Sequence, residues 1–188
     1  MASFFSQIQL KKILGKSPVY KGDAKQIEDY LLSNGINCLY HYTDRSNLDS
    51  IREYGLFSSL TCQRLNINNK PGGNTLSHKL DLDHHLDDFV RLSFVGRLPM
   101  TERLLKEGYD LVMLKVSIKV AGFLQTFFTD RNAADKDFML GSDFAFVKHI
   151  NEPQGYFDLY KLQQSEVLVR THVPKEFILN LDDPMIIR

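Results

Sequence analysis

Two segments of this 188-residue chain carry an apolar side chain at every second position. Val90, Leu92 and Phe94 recur at every second position in the first, and Val112, Leu114, Val116 and Ile118 in the second. A period of two places one set of side chains on a single face only if the backbone is extended, so both segments read as strands with one buried face. Arg91 and Ser93 then share the opposite face of the first strand. Strands so far apart along the chain pair through long-range contacts, and a sheet must organise the fold.

Other β-rich stretches extend the pattern. Cys38-Leu39-Tyr40-His41-Tyr42-Thr43 reads as a short strand, and Glu166 to Arg170 and Phe177 to Leu179 read as closing strands. Gly122 to Thr129 extends or pairs with the strand before it. Helical signals are short. Asp23 is placed to cap a helix through Ile27, Tyr30 and Leu31 that ends at Asn34-Gly35. Ser46 and Asp49 have capping-box spacing for a second helix, with Gly55 as its left-handed stop. A further helix is read from Asp143 to His149, and Gly96 to Pro99 as a turn. Residues 57–88 are polar and contain a loop-forming run from Asn66 to Asn74. The sum is an α+β chain, with an arm over residues 1–22 and a single domain over 23–188.

Composition closes several routes. Lys plus Arg number 23 and so do Asp plus Glu, which disfavours a non-specific DNA-coating protein. The two cysteines form neither a disulfide framework nor a CxxC metal motif. The first residues lack the pattern of a signal peptide, and no stretch has the apolar length of a membrane span, which makes the cytoplasm the expected compartment. The Rossmann GxGxxG, P-loop and GxSxG motifs are absent. His84-His85 lies among Asp81, Asp83, Asp87 and Asp88, but a solvated acidic face explains that density better than a metal site, so no metal is expected.

Three places can carry chemistry. His41-Tyr42-Thr43 ends a strand and leads into a helix start, where a ligand can be held; the alternative is a histidine packed between tyrosines at a sheet edge. Arg91 with Ser93 can point into a cleft, the arginine fork being suited to a pyrophosphate, or they can simply face solvent. Gln164 and Glu166 face the same way if extended. A carboxylate there can hold a ribose hydroxyl and stabilise positive charge on a sugar, or it can be an ordinary polar lead-in to a strand.

Taken in order, these pieces resemble the DarT family of NAD-dependent DNA ADP-ribosyltransferases. Leu39 to Thr43 with Asn47-Leu48, Ile51 and Gly55-Leu56 is similar to the family's opening. Asp88 to Phe94 with Pro99-Met100 resembles its central strand, Phe128 to Ala134 an Asn-Ala-Ala segment, and Gln164-Ser165-Glu166 to Val169 its Gln-x-Glu strand. The resemblance covers about residues 38 to 178. It implies an ADP-ribosyltransferase-like split, twisted, mainly antiparallel sheet with peripheral helices and NAD in the cleft. It implies Glu166 as the catalytic carboxylate, with Arg91 favoured over Arg97 for gripping the pyrophosphate. His41, Tyr42, Thr43, Asn47 and Ser93 are implied at the NAD, and Gln164 and Asn132 towards the acceptor.

The function so implied is transfer of ADP-ribose from NAD to a base in single-stranded DNA, by a toxin of a toxin–antitoxin or phage-defence system. A macrodomain antitoxin is the implied partner. RNA or protein as acceptor, and a non-catalytic nucleotide-binding module on the same fold, are the alternatives. The net charge of 0 and the Arg97-Leu98 departure from the family pattern keep them open.

Overall fold

The computed structural model describes residues 4–70, 85–96, 99–151 and 164–187. Its elements in chain order are α1 (Phe4–Leu14), α2 (Ala24–Ser33), β1 (Cys38–Asp44), α3 (Leu48–Tyr54), β2 (Leu56–Phe57) and α4 (Ser59–Leu65). They continue with β3 (Phe89–Ser93), α5 (Pro99–Lys106), β4 (Leu111–Ser117), β5 (Thr126–Thr129), β6 (Leu140–Gly141), α6 (Phe144–Asn151), β7 (Glu166–Arg170), β8 (His172–Val173) and β9 (Met185–Ile186). Single 3-10 turns cover Arg45–Asn47, Ile118–Gly122 and Lys175–Phe177.

Seven of the strands form one sheet in the order β6-β5-β7-β3-β1-β4-β9, antiparallel at every pairing. β2 and β8 form a small second sheet. The alternating side chains behave as their period requires. Val90, Leu92, Val112, Leu114, Val116, Val167 and Val169 lie on one face and share a core with Ile27 and Leu31 of α2, Leu48 and Ile51 of α3, and Val147 of α6. Burial of such side chains is worth about 1.5–3 kcal/mol each, so this face dominates the stability.

The sheet divides at its centre. β1 pairs with β4 over seven positions, from Cys38↔Ser117 to Asp44↔Leu111, but meets β3 only at Tyr40↔Ser93. Beyond that pair the two strands splay. The Arg91 carbonyl, without a β1 backbone donor there, accepts instead a hydrogen bond from His41 Nδ1 at 2.9 Å. The imidazole thus bridges the split where the backbone ladder stops.

Several local expectations are corrected. Asp23 precedes α2 but makes no side-chain cap to it; its carboxylate accepts from the Phe144 backbone N–H at 2.6 Å and so starts α6. Ser46 is not the helix cap. The N-cap position of α3 is Asn47, which makes no side-chain cap, and Asp44 caps the preceding 3-10 turn, accepting from the Ser46 N–H at 3.0 Å and from its hydroxyl at 2.7 Å. Phe177 to Leu179 is a 3-10 turn followed by one bridge, Val116↔Ile178, rather than a strand. Of the turn read at Gly96 to Pro99, residues 97–98 lie outside the described residues, and Pro99 instead opens α5, at the first helical position where a missing N–H costs nothing. Within 57–88, α4 is capped by Ser58, which accepts from the Thr61 N–H at 3.2 Å, and ends at Asn66 in a left-handed conformation. Residues 71–84 of that stretch lie outside the described residues.

Gly55 ends α3 with φ of +85°, and a Cβ there would stand 2.3 Å from the Val173 carbonyl. Only glycine allows the chain to turn from α3 into β2 against β8.

Candidate active site

β3 and β7 pair in the register Ser93↔Glu166 and Arg91↔Leu168. Residues directly opposed in an antiparallel pair face the same way, so Arg91, Ser93 and Glu166 share the face away from the main core. Arg91 Nε lies 3.5 Å from Glu166 Oε2. Their side chains are 28% and 17% exposed, so the pair is held largely out of water but remains reachable. Desolvation strengthens such a contact relative to a surface pair and makes either lone charge costly.

The start of β7 is fixed from below. The Glu166 N–H donates to the Thr129 hydroxyl at 3.0 Å, and that hydroxyl donates to the Arg131 carbonyl at 2.6 Å. The Ser165 hydroxyl donates to the Asp130 carbonyl at 2.9 Å. Beneath the pair, Leu168 packs with Phe89, Leu86 and Ala133 in a second small core. The segment following β5 is therefore clipped to the strand that carries the carboxylate. Asn132 itself is exposed and accepts from the Ala134 N–H at 2.9 Å, closing a local turn that seats Ala133 in this core.

The His41 side of the site is built differently. Nδ1 donates to Arg91, so in the neutral ring Nε2 is an acceptor. Burial pushes its pKa below the ordinary value, and the hydrogen bond to the Arg91 carbonyl opposes this without reversing it. The residue as a whole keeps part of its surface open although protein closely surrounds the ring. By strand parity His41 and Thr43 face the main core, whereas Tyr40 and Tyr42 share the face of Ser93 and Glu166. His41 joins the Arg91–Glu166 pair through the Arg91 backbone and not through its side chain.

Asn47 is engaged by protein on all sides. Its Oδ1 accepts from the Lys70 N–H at 2.8 Å, and its Nδ2 donates to the Lys70 carbonyl and to the Thr43 hydroxyl, each at 2.9 Å. The Lys70 backbone fixes which end of the amide is which. Lys70 Nζ also bonds Asp44 at 2.6 Å and lies 4.6 Å from the Tyr109 ring centre. Burial raises the Asp44 pKa, but hydrogen bonds from Lys70 and Ser46 outweigh it and hold the carboxyl down to about 2. No local sequence pattern marks this clasp, because Lys70 lies 23 residues from Asn47 and 26 from Asp44.

Ser93 is buried and its hydroxyl accepts from the Val95 N–H at 3.1 Å, bending the chain out of β3. Burial, and then Tyr40, push the Tyr42 phenol up to about 12. Gln164 is half-buried just ahead of β7, and Arg97 lies outside the described residues. Among the described residues no group of three or more His, Cys, Asp or Glu could hold a metal ion, and no helix is long and apolar enough to cross a membrane.

A split antiparallel sheet of this kind is an ADP-ribosyltransferase fold, and solved structures share that fold. Thermosipho africanus DarTG in complex with ADP-ribose superposes with a TM-score of 0.60 at 22% identity, covering 76% of this chain and 42% of that one. Thermus sp. 2.9 DarT in complex with ADP-ribosylated ssDNA gives 0.58 at 18% identity, over 77% and 79% of the two chains. The same Thermus protein in complex with NAD+ gives 0.55 at 18%, over 76% and 79%. At these identities the likeness establishes the fold, and the chain spans less than half the length of the Thermosipho one. No curated protein sequence matches significantly. The DarT family model, described as ssDNA thymidine ADP-ribosyltransferase, matches residues 40–182, and the chain belongs to that family.

Proposed function

We propose that this protein transfers ADP-ribose from NAD to a thymidine base of single-stranded DNA, with Glu166 and Arg91 as its catalytic pair. Family membership supports the reaction class, the co-substrate and the acceptor. The observation that carries the residue assignment is the 3.5 Å approach of Arg91 to Glu166 on adjacent strands.

NAD supplies the ADP-ribosyl group, with nicotinamide as the leaving group. The site's residues fit it. Glu166 stabilises the positive charge that develops on the ribose as the glycosidic bond opens, an effect worth about 2.7–4 kcal/mol for one preorganised group. Arg91 grips the pyrophosphate and so orients the sugar, which is a positioning effect. It also sets a positive charge 3.5 Å from the Glu166 carboxylate. His41 offers Nε2 to a ribose hydroxyl at the split between β1 and β3, Tyr42 and Ser93 line the Glu166 face of the NAD cleft, and Thr43, held by Asn47, supports that end of β1 from the core face. Gln164 and Asn132 lie towards the acceptor, whose base must be unpaired to be reached.

Unchecked, the activity damages the cell's own DNA. The reading therefore includes a toxin role in the cytoplasm, restrained by an antitoxin that removes ADP-ribose. The test is mass spectrometry of oligonucleotides after incubation with NAD. ADP-ribose on thymidine of single strands supports the reading; label confined to RNA or protein refutes the acceptor.

A further inference from the structure

The face that carries Glu166 does not end at Arg91. Following the register across the sheet, Glu166 opposes Ser93, Ser93 opposes Tyr40, and Tyr40 opposes Lys115 of β4. All four side chains therefore stand in one row on one face. Tyr40, Lys115, Arg91 and Glu166 are each partly exposed, whereas the small Ser93 between Glu166 and Tyr40 is buried, as are Leu168, Phe89 and Met113 on the same face. The open part of the face is thus a strip that runs from the catalytic pair, past a tyrosine, to a lysine. Three strand spacings separate its ends, roughly 14 Å.

We infer that Tyr40 and Lys115 form the track along which the single strand flanking the acceptor base runs. The inference rests on the proposed function and adds the surface that holds the substrate. Its chemistry is that of a single-strand groove, in which an aromatic ring stacks a base and a cation meets a phosphate. The Tyr40 ring lies against Gly96, where a Cβ would stand 3.1 Å from it, so the ring is seated by a residue with no side chain. The Tyr40 phenol pKa is pushed up to about 12 by a hydrogen bond with Cys38 and by burial, so the ring stays uncharged beside the backbone phosphates. Lys115 also lines a groove that it shares with Asp182 and Asp183. Their charge repels phosphate and limits the track at that end.

The test is anisotropy of a labelled, thymidine-containing single-stranded oligonucleotide with the full chain, across a salt series and without NAD. Tyr40→Leu should weaken binding about five-fold or more, while Tyr40→Phe, which keeps the stacking ring, stays within about two-fold of the wild type. Lys115→Gln should reduce the slope of log affinity against log salt by about 0.7, one phosphate contact. Wild-type affinity and slope in both Tyr40→Leu and Lys115→Gln overturn the inference, provided the wild type still modifies the oligonucleotide. A loss seen in the Michaelis constant for NAD, with oligonucleotide affinity intact, also overturns it. A wild type that neither binds nor modifies single strands overturns both this track and the proposed function.

Discussion

Asn47→Ala tests the clasp that closes the end of β1. The substitution removes one acceptor and two donated hydrogen bonds, leaving the Lys70 N–H, the Lys70 carbonyl and the Thr43 hydroxyl without their partner. A buried polar group left unsatisfied costs about 1–3 kcal/mol. Thr43 is only 5% exposed and bears that cost in full, but Lys70 is exposed, so water replaces part of what its backbone loses. The total is therefore about 1–3 kcal/mol rather than a multiple of it. For a chain of this length each kcal/mol lowers Tm by about 2–4 °C, giving a fall of roughly 2–12 °C. Asn47→Asp retains the acceptor for the Lys70 N–H but loses both donated bonds, and it should melt no higher than the wild type. Calorimetry of the three proteins reads the effect, and nicotinamide release gives the Michaelis constant for NAD, which should rise as Thr43 is freed. An Asn47→Ala protein that melts within a degree of the wild type refutes the reasoning.

Two further outcomes depend on pH. Asp44 has its folded-state pKa depressed to about 2 from an ordinary 3.8, so its contribution is complete above the higher value and is lost as pH falls through the lower. Lys70→Met should shrink the loss of Tm between about pH 4 and pH 2; an unchanged acid profile contradicts the assignment. His41 is also depressed, below 6.5, but as a base, so the unfolded chain takes its proton first. Stability should fall as pH drops below about 6.5, and the His41 imidazole signal in NMR should titrate below that value. A midpoint at or above 6.5 contradicts a buried neutral ring.

The strands that build the site were legible because alternation is local. Val90 to Phe94 and Val112 to Ile118 each announce a buried face within a few residues, Glu166 to Arg170 is legible as a short β-rich run, and all three supply sheet strands. The order of short motifs was legible through resemblance, and the family match over residues 40–182 agrees with it. What escaped depends on register and on side-chain choices among several possible partners. Tyr40 shares the Glu166 face only because Tyr40 opposes Ser93, a pairing across 53 residues. Asp23 had two helix starts within reach and serves α6 instead of α2. β9 has only two residues, both exposed, and offers no periodicity to read.

The most direct measurement is the rate of ADP-ribose transfer to single-stranded DNA by Glu166→Gln, which preserves shape and removes the charge facing Arg91. With NAD saturating and the wild-type melting curve retained, the rate should drop on the order of 10²–10³-fold. A variant that folds normally and transfers at the wild-type rate would place the chemistry elsewhere in the molecule.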